Sequence, residues 1–252
     1  MDRWQRQRPI LTHRPFYAGS IMLVLLLAPA FAQQEPDDII QISKNMVKLE
    51  QAGKYAEALP LAQKALELAE ETLGPEHLSV AIYVDHLAVL YHTLGEPIKA
   101  EPLFQRAIAI QEKVVGPEHL AVATTLSHLA KLYLMIGKPA KAEALLQRAV
   151  AIREKALGPE HIAVATLLND LAVLYEVEGS YAKAEPLFQR ALAIQEKTVG
   201  PTHLRVATTL ENYAKLLRNS HHPDEAAQLE ARAKSIRGKA SPDGLDHPLK
   251  TP

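Results

Sequence analysis

Eleven histidines, in a chain without cysteine, are the first residues to ask about chemistry. Imidazole changes charge near neutral pH and is the commonest metal ligand. Four of them, His77, His119, His161 and His203, recur every 42 residues. Three close a Gly-Pro-Glu-His string and the last closes Gly-Pro-Thr-His. A reaction centre needs its base once, whereas a structural residue is needed in every copy, so these four read as structural. His86 and His92 are six apart, not the four that stacks two side chains on one helix face. His221-His222 falls in an expected loop, where a histidine pair can take a stray metal but ordinarily does nothing. No H-E-x-x-H, phosphate-cradling glycine loop or G-x-S-x-G turn occurs. Without cysteine there is no disulfide, thiolate nucleophile, Cys-ligated zinc or lipid-modified N-terminal cysteine. A formal net charge of −1 gives no strong attraction to nucleic acid or anionic lipid. The reading is therefore of a chain with no catalytic residue, no metal site and no cofactor.

The elements that position these residues are copied along the chain. The string from Ala100 to Ala107 returns unchanged from Ala184 to Ala191. Each copy reads as two helices. In the first, Ala81, Val84, Leu87, Ala88, Tyr91 and Leu94 fall at spacings of three and four, one helical face. Gly95 stops it. In the second, Leu103, Ala107, Ile110 and Val114 form one stripe and Phe104 and Ile108 a neighbouring one, until Gly116. Pro117 is then expected to open the next helix, with Glu118 in its first turn. Pro60, Pro102 and Pro186 sit inside second helices, where a mild bend is expected; Ala144 takes that place in the third copy. The repeats run roughly 37–73, 76–115, 118–157, 160–199 and 202–237, giving five hairpins and about ten helices between 33 and 237.

The ends read differently. Arg3, Arg6, Arg8 and Arg14 precede an apolar run from Ile21 to Ala28, and Ala30-Phe31-Ala32 supplies small residues for cleavage. This describes a Sec-type signal peptide over 1–32, cut after Ala32, and a periplasmic or secreted product. The run is short for a bilayer span, which needs ~20 residues; the alternative is an uncleaved anchor. With the segment removed, no stable membrane insertion is expected. Residues 238–252, rich in Pro, Gly and charge, read as a disordered tail.

Leu87-Ala88-x-x-Tyr91, then Gly95, then Ala100-x-x-x-Phe104-x-x-Ala107 resembles the tetratricopeptide signature. The usual period is ~34 residues; the longer period here, with Gly-Pro-Glu-His between copies, is similar to the repeats of kinesin light chains and their bacterial relatives. The end copies depart from the pattern, as caps would. Asn45 and Met46 stand where Leu87 and Ala88 do, His221 replaces the stop glycine, and Glu230 replaces Phe104 and Phe188. The resemblance implies an all-α, right-handed solenoid whose first helices line a concave groove for a peptide or partner protein. Carried over position by position, the groove residues are Asp85, His86, Val89 and His92 in the second copy. The third offers Ser127, His128, Lys131 and Met135; the fourth, Asn169, Asp170, Val173 and Glu176; the fifth, Glu211, Asn212, Lys215 and Arg218. In kinesin light chains paired asparagines near this point hold peptide backbone, and only Asn169 and Asn212 match here, one per copy. Lys215 and Arg218 would suit a partner's carboxylate.

These positions vary while the packing positions repeat. The leading functional reading is a non-enzymatic scaffold for a protein or peptide partner, with no nucleic acid. Its rivals are a self-assembling structural module and an enzyme built on groove histidines and carboxylates.

Overall fold

A computed structural model describes residues 37–239. The expected signal peptide and residues 240–252 of the expected tail lie outside the described residues. Among the described residues there are ten helices and no strand, an all-α solenoid of helical hairpins. They run α1 (Asp37–Gln51), α2 (Tyr55–Leu73), α3 (Leu78–Thr93), α4 (Pro97–Val115) and α5 (Leu120–Met135). Then follow α6 (Pro139–Leu157), α7 (Ile162–Val177), α8 (Tyr181–Val199), α9 (Leu204–Asn219) and α10 (Pro223–Lys239). The last helix passes residue 237 by two and takes in Gly238 and Lys239. The chain divides into two compact units, one ending at Ile152 and one beginning at Arg153.

The lengths follow from where the chain can turn. From α3 onward the first helices have 16 residues, and α2, α4, α6 and α8 have 19. Within a hairpin the turn closes on a left-handed residue. Glu96 N–H reaches the Tyr91 carbonyl at 2.8 Å and Gly95 N–H that of His92 at 3.0 Å, with Gly95 at φ 75°. In the fifth hairpin His221 holds the same place at φ 67°, and the same two hydrogen bonds survive. The position keeps its geometry without its glycine.

Between hairpins the turn differs, and it corrects one expectation. Pro117 does not open a helix. Pro117 and Glu118 lie in a turn, the helix starts at Leu120, and His119 is its N-cap. The reason is Gly116, whose φ of 90° and ψ of 157° turn the chain outward before a helix can begin. That region is essentially closed to residues with a Cβ.

Prolines 60, 102 and 186 are each the sixth residue of a helix that runs unbroken through them. The carbonyls they leave without a donor belong to Ala56, Ile98 and Ala182, all exposed, so water can serve them.

The core is made of small and large residues alternating between helices. In the first unit Ile39, Met46, Ala58, Ala62, Ala65, Val80, Ala81 and Val84 share one cluster. In the second, Val206, Ala207, Leu210, Ala233 and Ile236 share another. Phe104 and Phe188 are wholly buried, and Glu230 at the matching place in α10 is not. A cap helix has no following layer to bury a phenyl ring against.

Candidate protein-binding face

Each residue of the Gly-Pro-Glu-His linker has an identifiable contact. The imidazole Nδ1 of His77, His119, His161 and His203 accepts the backbone N–H two residues on, from Ser79, Ala121, Ala163 and Arg205, at 3.1–3.2 Å. These histidines are helix caps, as their recurrence implied. The proline carbonyls accept from arginines of the next hairpin: Pro117 from Arg148 at 3.0 Å and Pro159 from Arg190 at 2.9 Å. Glu76 pairs with Lys113, and Glu160 with Lys197 at 2.5 Å. The lysine lowers the Glu160 carboxyl from its usual value, first by hydrogen bonding and then by charge.

The same arginines complete a ladder between second helices that sequence reading missed. Arg106 meets Glu70 at 2.5 Å, Arg148 meets Glu112 at 2.6 Å, and Arg190 and Arg232 meet Glu154 and Glu196 at 2.7 Å. Each pair is separated by 36 residues. The signal was present as two columns of opposite charge with the same period, offset by six residues less than that period.

The residues expected to line the groove fall into two groups. In the first unit they are closed off. Asp85, His86, Val89 and His92 are 4–7% exposed, and Ser127 and His128 are as deeply buried. They are also spoken for. His86 Nε2 lies 2.5 Å from Glu50 Oε1, and His128 Nδ1 lies 3.0 and 3.1 Å from the two Asp85 oxygens. These pairs join hairpin one to two and hairpin two to three. Lys131 is half-buried and Met135 is exposed.

In the second unit the face is more open. Asn169, Asp170 and Val173 are half-buried, Glu176 is buried, and Glu211, Lys215 and Arg218 are exposed, with Asn212 half-buried beside them. Asn212 Nδ2 donates to Asn169 Oδ1 at 3.1 Å, so the two matching asparagines are brought together. Glu176 accepts from Lys215 at 2.9 Å and from Asn219 at 2.5 Å. Arg218 forms a two-pronged pair with Glu230, and Arg237 does so with Glu211. These partners raise both guanidinium groups from their usual value, the hydrogen bond first. Behind this face Tyr213 stacks on Phe188 at 5.6 Å and donates to Glu185 at 2.8 Å. Burial above all, with that carboxylate, pushes its phenol up to about 12. Arg153, donating to the Ala163 carbonyl at 3.0 Å, is pulled down by burial, which Asp170 opposes.

Such a surface is made of amides, ion pairs and one apolar side chain on rigid helices. It can bind by shape and by hydrogen bonding. The tetratricopeptide repeat model matches residues 49–113, 80–155, 138–196 and 163–239. The chain belongs to the tetratricopeptide repeat family. Its repeats are of the kinesin light chain kind. It is 27% identical to a Podosopora anserina protein described as a kinesin light chain with nearly identical TPR-like repeats; the match covers 80% of this chain and 95% of that one, with a TM-score of 0.68. With BtubC (BKLC) of P. vanneervenii it shares 23% identity over 98% of this chain and 97% of that one, at a TM-score of 0.70. A thermophilic TPR protein of Thermus thermophilus shares 21% identity over 80% of this chain and 92% of that one, at 0.56. The last two likenesses show the fold alone. No curated protein matches. Tetratricopeptide folds generally serve as scaffolds for protein–protein interaction and are typically non-enzymatic.

Proposed function

We propose that this protein is an exported scaffold that holds a peptide or protein partner on the first-helix face of its fourth and fifth hairpins. One observation carries the placement. The face that is sealed by mutual pairing in the second and third hairpins stays accessible around Val173, Glu211, Lys215 and Arg218. Those charges are already held by Glu176, Glu230 and Arg237, so little side-chain freedom is lost when a partner arrives. Lys215 and Arg218 favour an acidic or carboxylate-bearing segment, and the Asn169–Asn212 pair offers amides to an extended backbone. Export follows from the basic and apolar N-terminal segment. Among the described residues no helix is long and apolar enough to cross a membrane.

The test is capture from an extract of the native envelope by residues 33–252, beside a variant carrying Val173→Arg and Arg218→Ala. Both changes spare the buried contacts, and equal melting temperatures check this. A protein held by the first column and lost from the second supports the placement. Equal capture moves the site to the second helices or the tail. No capture, with a mass that grows with concentration, favours self-assembly instead. The arginine–glutamate ladder gives self-assembly little help, because Gly238 stands where Glu70, Glu112, Glu154 and Glu196 stand in earlier copies.

A further inference from the structure

We propose that the four inter-hairpin histidines make the hairpin junctions acid-sensitive, each capping a first helix through a nitrogen that accepts a hydrogen bond only while the ring is neutral. The geometry is the same four times. His77, His119, His161 and His203 sit in extended backbone, with φ from −73° to −77° and ψ from 143° to 148°. Nδ1 receives an N–H in each, at 3.2 Å once and 3.1 Å three times. A ring that accepts at Nδ1 carries its proton on Nε2. A second proton removes the acceptor and turns an N–H toward the N–H it had served. It also sets a cation at the positive end of the helix dipole.

The charged groups around each cap do not offset this. The linker carboxylates Glu76 and Glu160 are held by Lys113 and Lys197, and Glu118 is likewise partnered. From the second helices packed beside the linkers come Arg106, Arg148, Arg190 and Arg232, each on a linker carbonyl. The nearby Glu70, Glu112, Glu154 and Glu196 are taken by those arginines. At the fourth linker Thr202 replaces the glutamate and Arg205 follows on the same helix. Burial first, and then Arg205, holds the His203 imidazole below its usual value. For a depressed group the sign is fixed. The stability it contributes is present above the ordinary histidine range and is lost as pH falls through the lowered folded value.

The experiment compares thermal unfolding of the full chain at pH 7.5 and pH 5.0 with that of a variant in which all four are changed by His→Asn. Asparagine caps a helix as well as any residue and does not titrate. His86, His92, His128, His221 and His222 are common to both proteins. The expected result is that the wild-type Tm falls by roughly 5–10 °C more than the variant's between the two pH values. The same pH dependence in both proteins overturns the proposal. Should the fourfold variant not fold, His203→Asn alone and the nitrogen spectra of the wild-type imidazoles carry the test. These four rings must show the Nε2–H tautomer at pH 7.5, and the Nδ1–H tautomer overturns the proposal equally.

Discussion

His128→Leu removes one partner of a buried pair and keeps the side chain's approximate volume. In the native protein the imidazole reaches both Asp85 oxygens, at 3.0 and 3.1 Å, and the two side chains are 8% and 10% exposed. The substitution leaves a carboxylate sealed among apolar neighbours without its donor. Breaking a buried pair from one side costs about 3–5 kcal/mol. For a chain of this size that is a fall in Tm of roughly 6–20 °C. The protein supplies its own remedy. Two periods on, the same two positions hold Asn169 and Asn212, joined at 3.1 Å. Asp85→Asn with His128→Asn transplants that pair, with no ionisable group left to bury. The remaining loss is the contact of the His128 ring with Phe104, whose centroids lie 6.1 Å apart, worth about 0.5–1.5 kcal/mol. Urea unfolding of the full chain at pH 7, run as a double-mutant cycle, measures both terms. The reasoning fails if His128→Leu costs under about 1 kcal/mol, or if the double variant is as unstable as the single one.

Two further sets of substitutions probe the backbone and the packing. Gly116→Ala should lose roughly 1–3 kcal/mol, because φ 90° and ψ 157° lie in a region open to glycine and the added Cβ meets no neighbour within 4 Å that could account for the cost otherwise. Gly95→Asn, at φ 75° in the left-handed helical region, should stay within about 1 kcal/mol of wild type in the same unfolding assay. Ala130→Trp should destabilise by ~1–3 kcal/mol or more, since Ala130 is wholly buried and the ring can enter only by displacing helices; a Tm equal to wild type would mean this face is open.

The helices were legible because their boundaries are written in local chemistry. The face of Ala81, Val84, Leu87 and Ala88 is buried as its spacing requires, and Gly95 ends the turn it marks. The expected start of the first helix after Pro117 lies three residues early, because proline at a helix opening is the commoner signal and a histidine cap is not. The cap becomes visible only when the imidazole is seen to accept an N–H two residues ahead, a contact that depends on side-chain torsion rather than residue type. The arginine–glutamate ladder was hidden for a different reason. Glu70 and Arg106 are far apart in sequence, and on isolated helices each reads as one more solvated charge.

The variable positions of the first helices show why a face can change from copy to copy without being free. Asp85 varies together with His128, and Asn169 together with Asn212; Glu50 changes with His86, and Glu176 with Lys215 and Asn219. Each change is answered in the neighbouring hairpin, so much of the variation records which hairpin sits beside which. Near-identical hairpins need such labels, because their apolar faces would accept several neighbours equally well. Setting the second hairpin against the fifth, for example, would face the Asp85 carboxylate with the Asn212 amide and leave His128 without its acceptor. A buried unpaired group of that kind costs about 1–3 kcal/mol, enough to select one order of stacking from several. What is left for a partner is the part of the face not used in this way. It is smaller than the copied pattern implies, and it lies where the last first-helix, α9, has no further hairpin to pair with.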